Sequence, residues 1–294
     1  MPNQAIRFTT HPTLIPGQAH IIQQQQLFSS TPEIRDVYAD NLHQAMDELI
    51  ELIDDYPFIA MDTEFPGVVA RPVGNFKSAS DYTYQTLRCN VDLLRIIQLG
   101  ITLSDEHGRR PPNVHTYQFN FYFNMEQDMH AQDSIDLLAK SGIDFAKLAR
   151  GGVPVDEFGE RLVSSGLVLN PKIRWISFHS AYDFGYLLKL LTCDALPVEE
   201  TAFQSQLRIF FPVIFDIKYM MKSCRGLKGG LQDVADEVGV ERIGPQHQAG
   251  SDALLTSETF FKLRSIYFGG EVDTERFGHC LFGLSTPQEV DAKT

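Results

Sequence analysis

Four apolar residues, Phe58-Ile59-Ala60-Met61, run without a break into Asp62-Thr63-Glu64. A short continuous apolar run of this kind reads as a buried strand. Successive strand side chains point to opposite faces, so Asp62 and Glu64 share one face and Thr63 takes the other. Two carboxylates about 7 Å apart at the end of a buried strand repel each other unless something positive lies between them. A buried pair of this kind would call for positive charge between the two acids. Hard divalent cations prefer oxygen donors and meet that demand most simply. Taken alone, however, D-x-E is more often a solvated strand end with ordinary surface acids.

The rest of the chain alternates between two periods. Leu42, Met46, Leu49 and Ile53 recur at helical spacing, and Pro57 closes that helix. Residues 96–103 and 114–121 read as two more strands, joined by a polar loop with Gly108 and Pro111-Pro112. Helices are expected over 131–140 and 154–165. A fourth strand over 173–178 leads into a helix near 183–192. A helix near 199–210 precedes a short strand at 213–216, and a long helix is expected over 250–267. Three strands in quick succession followed by α-β-α-β-α predict an α/β fold, a mixed sheet flanked by helices. The pattern is continuous, so one domain is expected although 294 residues would allow two.

Composition narrows the class. Hydrophobic residues make up 43%, with 21 Phe, which allows a large core and excludes global disorder. A net charge of −13 disfavours a protein that coats nucleic acid or a polybasic membrane-surface protein, since broad phosphate neutralisation needs excess Lys and Arg. Cys89, Cys193, Cys224 and Cys280 form no C-x-x-C pair, which suits a reducing compartment and argues against a zinc knuckle. No apolar run approaches the roughly 18 residues of a membrane span, and no secretory signal pattern opens the chain. Residues 1–32 contain no Asp or Glu, one Arg and a glutamine run at 23–26. They read as a flexible extension, with a folded domain over 33–284 and a short tail over 285–294.

Two further segments carry candidate chemistry. Asp183 follows Ser177-Phe178-His179-Ser180-Ala181-Tyr182, past a strand and at a helix start, where the macrodipole alone favours an acid. In Gly244-Pro245-Gln246-His247-Gln248-Ala249-Gly250-Ser251-Asp252 a histidine precedes an acid by five positions, and Ser251-Asp252 are also natural helix caps. Each segment is unremarkable by itself. Together, D-x-E, then D, then H-x-x-x-x-D is the order found in DEDD exonucleases that carry a histidine. With Phe65-Pro66-Gly67-Val68-Val69 and Leu87-Arg88-Cys89-Asn90-Val91-Asp92, these stretches resemble the Caf/Pop deadenylases, nuclease subunits of the Ccr–Not mRNA-decay complex. The resemblance covers roughly 33–284.

That resemblance implies an RNase H-like mixed sheet, two divalent cations, and 3′→5′ shortening of mRNA poly(A) tails with release of AMP. Two-metal hydrolysis needs an activated water and neutralisation of the leaving oxygen. Asp62 is expected to bridge both ions, Glu64 and Asp252 to hold the ion that activates water, and Asp183 the ion at the leaving group. His247 is expected to accept the water's proton. An all-carboxylate set suits Mg²⁺ or Mn²⁺, with Zn²⁺ an opportunistic occupant. RNA contacts are expected from Phe65 and His179 by stacking, and from Lys228 in a 218–230 segment with four positive charges and no acid. By composition alone that segment is a solvated helix face and glycine turn. The implied partners are single-stranded poly(A) RNA, a helical Not scaffold, a second deadenylase of different fold and antiproliferative regulators, in cytoplasm and nucleus and with no membrane. Another DEDD exonuclease (oligoribonuclease or DNA proofreading) and a non-catalytic adaptor on the same fold are the alternatives. Four acids against two divalent cations balance in formal charge.

Overall fold

The computed structural model describes residues 34–286. The extension expected over 1–32, and all but the first two residues of the tail expected over 285–294, lie outside them. In chain order, β1 (Ile34–Val37), α1 (Leu42–Leu52), β2 (Phe58–Glu64), α2 (Ala79–Leu93), β3 (Gln98–Ser104) and β4 (Thr116–Asn120) come first. Next are α3 (Gln132–Ser141), α4 (Phe145–Gly151), α5 (Val155–Ser164), β5 (Arg174–Ser177), α6 (Ala181–Thr192) and α7 (Glu200–Phe210). The series closes with β6 (Ile214–Asp216), a short α8 (Ile217–Met220), α9 (Leu231–Val238), α10 (Ala249–Tyr267) and α11 (Thr274–Phe277).

The strands form one sheet in the order β1-β4-β3-β2-β5-β6. β2 pairs antiparallel with β3 and parallel with β5; β3 and β4 are antiparallel, and the β1–β4 and β5–β6 pairs are parallel. This is the expected mixed α/β sheet flanked by helices, RNase H-like and in one domain. One apolar layer, with Leu49, Phe158, Trp175 and Phe184, lies on one side. A second, with Ile176, Phe215, Val234 and Phe260, lies on the other.

Three expectations need correcting. The first three predicted strands do not follow in quick succession, because the 15-residue α2 stands between β2 and β3. Its buried residues are Tyr84, Leu87, Asn90 and Val91, and one polar side chain among so few apolar ones leaves the helical period faint. β1 was also missed: Ile34-Arg35-Asp36-Val37 is short and carries two charges. At the other end Ser285, assigned to a loose tail, is buried. Its N–H donates to Glu200 Oε1 at 2.6 Å and its carbonyl accepts from Gln204 Nε2 at 2.7 Å.

The topology converges at one end of the central strands. Glu64, last in β2, pairs with Gln98, first in β3, while β5 runs parallel to β2 and leads into α6 at the same end. α10 crosses the sheet in close contact with β3. A Cβ on Gly100 would stand 1.9 Å from the carbonyl oxygen of Ala249, so only glycine admits the helix there. Side chains from the strands satisfy the opening N–H groups of α10 in place of a cap. Gln98 Oε1 accepts from Ala249 at 3.2 Å, and Gln118 Oε1 accepts from Gly250 at 2.9 Å.

Candidate active site

β2 presents Asp62 and Glu64 on one face, as strand alternation requires. One carboxylate oxygen each from Asp62, Glu64 and Asp252 lie within 4.8 Å of one another. Asp252 comes from the first turn of α10 and is buried. Asp183, in the first turn of α6, is buried as well. Its Oδ1 accepts from the Thr63 backbone N–H at 2.9 Å and from Thr63 Oγ1 at 2.6 Å. Thr63 therefore fastens α6 to β2 from the face opposite its two acidic neighbours.

Removal from water dominates the electrostatics. Burial first, then Asp252, Asp183 and Glu64, raise the Asp62 carboxyl well above its ordinary value, and Arg242 opposes them. Glu64 is pushed up to about 8 by burial and then by Asp252 and Asp183. Asp183 rises to about 6, because burial outweighs its hydrogen bonds from Thr63. Burial and like charge thus make it costly to ionise these carboxyls together, a cost that a cation among them would lower. The three converging donors are all carboxylate oxygens, with no thiolate or imidazole among them. That donor set fits Mg²⁺ or Mn²⁺.

The four acids thus come from β2, α6 and α10. A profile described as CAF1 family ribonuclease matches residues 37–160 and 155–260, and so takes in all four acids. The chain belongs to the CAF1 ribonuclease family. It is 54% identical to poly(A) ribonuclease pop2 of Schizosaccharomyces pombe over 89% of this chain and 78% of that protein. It is 50% identical to probable CCR4-associated factor 1 homolog 7 of Arabidopsis thaliana, over 86% of this chain and 93% of that one. Among solved structures, S. pombe Pop2p in its Mg²⁺- and Mn²⁺-bound form superposes with a TM-score of 0.84 at 55% identity, covering 86% of this chain and 100% of that chain. A chain from the yeast NOT1 MIF4G domain co-crystallised with CAF1 matches with a TM-score of 0.71 at 31% identity, covering 85% and 96%.

The remaining sequence candidates of this CAF1 ribonuclease are placed as follows. His247 is exposed and left-handed at φ 60°; its N–H donates to Asp252 Oδ2 at 3.0 Å. Phe65 is half-buried, with its ring stacked on Tyr182 at 5.1 Å and tilted against Tyr186 at 5.2 Å. His179 is exposed, and its ring meets Phe282 edge-on at 5.0 Å. Lys228 is exposed between the left-handed Gly226 and Gly229, in a turn that Lys218 ties through Nζ to the Gly229 carbonyl.

Four residues of the CAF1 site were missed by sequence reasoning. Thr63 lies inside D-x-E, on the face turned away from the two acids, and nothing in the motif marks it as a partner of Asp183. Arg242, which pairs with Asp252, carried no local signal. Asp216, fully buried at the end of β6, accepts N–H groups from His179 at 2.8 Å, Lys218 at 2.9 Å and Phe282 at 2.9 Å, and so shapes the turn before α6. Asn90 explains why Leu87-Arg88-Cys89-Asn90 accompanies the stretch after Glu64. Its Oδ1 accepts from Val69 at 2.8 Å and Ala70 at 2.9 Å, while Nδ2 donates to the Ala70 carbonyl at 2.7 Å. A buried amide on α2 thereby holds the loop that leaves the active site.

Proposed function

We propose that this CAF1 ribonuclease is a divalent-cation-dependent 3′→5′ exoribonuclease that shortens mRNA poly(A) tails and releases AMP. The observation that carries this reading is the convergence of Asp62, Glu64 and Asp252 within 4.8 Å, in a chain 54% identical to a poly(A) ribonuclease. Asp62, Glu64, Asp183 and Asp252 would hold two cations, Mg²⁺ or Mn²⁺, as the Mg²⁺- and Mn²⁺-bound relative supports. Bound there, the cations supply an activated water and neutralise charge on the leaving 3′-oxygen. The residues of the chain supply the rest. Thr63 aims Asp183 through two hydrogen bonds. Asp252 holds the backbone of His247, whose imidazole takes the proton of the attacking water. Phe65, His179 and Lys228 contact single-stranded RNA by stacking and charge.

The co-crystallised yeast CAF1 supports assembly on a helical Not scaffold. A second deadenylase and antiproliferative regulators are further partners, and the cytoplasm and nucleus are the places of action. The decisive test incubates the pure chain with oligo(A), oligo(U) and single-stranded DNA, with and without EDTA. AMP release from oligo(A), abolished by EDTA, is expected. Asp62→Ala should fold and lose turnover. An Asp62→Ala protein that kept the wild-type rate would sink the site assignment, and equal digestion of all three substrates would sink the poly(A) preference.

A further inference from the structure

Two groups hold Asp252 besides its place on α10. Arg242 Nη1 lies 2.7 Å from Oδ1, in an ion pair whose side chains are only 12% and 11% exposed. The His247 N–H donates to Oδ2 at 3.0 Å. Arg242 is itself tied down on other sides. Its Nε donates to Gln232 Oε1 on α9 at 2.6 Å, and Nη1 donates to Ser251 Oγ at 3.0 Å. Ser251 Oγ in turn donates to the Ile243 carbonyl at 2.7 Å. One guanidinium thus links α9, the loop before α10 and the first turn of α10.

A desolvated ion pair is weak evidence for stability, because well-packed apolar residues often do as well. The guanidinium lies where it offsets repulsion among four carboxylates, and it touches the one acid that also anchors the histidine loop. It takes the cluster from four formal negative charges to three. With the two cations of the proposed function, one positive charge is left to meet the single negative charge of a phosphodiester.

We propose that Arg242 is a positioning residue that aims Asp252 at Asp62 and Glu64 and, through Asp252, fixes the His247 backbone beside the acid cluster. Its catalytic consequence rests on the proposed function; its effect on the loop does not. The full chain is therefore examined in two ways: amide hydrogen exchange by NMR in EDTA, and kcat and KM on oligo(A) with saturating Mn²⁺. In Arg242→Met the His247 amide should exchange about tenfold faster or more, and kcat should fall about ten- to a hundredfold with KM unchanged. Arg242→Lys, which keeps the charge, should recover part of both losses. Gln232→Leu removes only the partner of Nε and should move both readouts the same way by a smaller factor. It also serves if Arg242→Met does not fold. Wild-type His247 exchange in folded Arg242→Met, or in Gln232→Leu if the former fails to fold, would overturn the proposal. So would loss of exchange protection spread evenly over β3 and α10, which marks general unfolding. If the wild-type chain releases no AMP, the exchange result still decides Arg242 while the proposed function alone falls.

Discussion

Thr63 and Glu64 show how two adjacent residues divide the work of one strand end. Glu64 faces Asp62 and Asp252, where burial and like charges push its carboxyl up to about 8. Thr63 faces away and gives Asp183 two hydrogen bonds that partly offset the same penalty. Thr63→Val keeps the shape and the backbone bond but removes the 2.6 Å hydroxyl bond. Turnover on oligo(A) should fall about tenfold, since partners that orient a metal-binding carboxylate are commonly worth ten- to a hundredfold. Wild-type kcat in Thr63→Val would mean that the backbone N–H alone aims Asp183. Asp216 and Asn90 work by the same logic at a distance. Each is a buried polar group that collects backbone partners from segments remote in sequence and so sets the path of a loop at the site.

The element that most constrains the site is α10. It brings Asp252 to the acids of β2 only because Gly100 lets the helix backbone lie against β3. Gly100→Ala would drive a methyl group to 1.9 Å from the Ala249 carbonyl, a backbone atom with no rotamer to relieve the overlap. Helix and sheet must then separate, with a loss of about 3 kcal/mol or more, at or beyond the upper end of usual overpacking. Urea unfolding measures this, and a midpoint within error of wild type would show that α10 can shift without penalty. The glutamine side chains of β3 and β4 add a second attachment, since Gln98 and Gln118 stand in for the missing helix cap. The 15 residues of α2 have a comparable task on the opposite side, where Asn90 restrains the loop that follows β2.

For the molecule as a whole, the acid cluster and the buried histidines tilt stability in opposite directions with pH. His115 is lowered to about 4, by burial and then by Arg110, and His279 is also lowered by burial. The unfolded chain takes up those protons first, so this contribution is lost as pH falls below about 6.5. Glu64 is raised, so the folded chain binds a proton that the unfolded chain has released, and stability falls as pH rises toward 8. Between pH 6.5 and 8 the cluster governs the slope. In EDTA the Tm should drop across that window, by an amount equivalent to about 1–3 kcal/mol for a shift this large. Saturating Mg²⁺ should remove the drop, and Glu64→Gln should flatten the EDTA curve. A flat curve for the wild-type chain in EDTA would contradict a desolvated cluster of acids.

Much of this was legible in sequence, and for a definite reason. An apolar strand that ends in D-x-E must place both acids on one face, because side-chain direction follows from the strand period alone. The helical repeat of Leu42, Met46, Leu49 and Ile53 that placed α1 is local in the same sense. β1 and α2 escaped because their apolar positions are too few to establish a period. By itself the sequence determined which carboxylates could form a centre, and the stretches around the motifs, more than the motif order, tied them to one family of ribonucleases. Only the tertiary structure decided what holds them: Thr63 to Asp183 across 120 positions, Gln98 to α10 across 151, and Arg242 against Asp252 rather than in solvent. Such partners are chosen by the packing of whole elements, and no local pattern of residues records that choice.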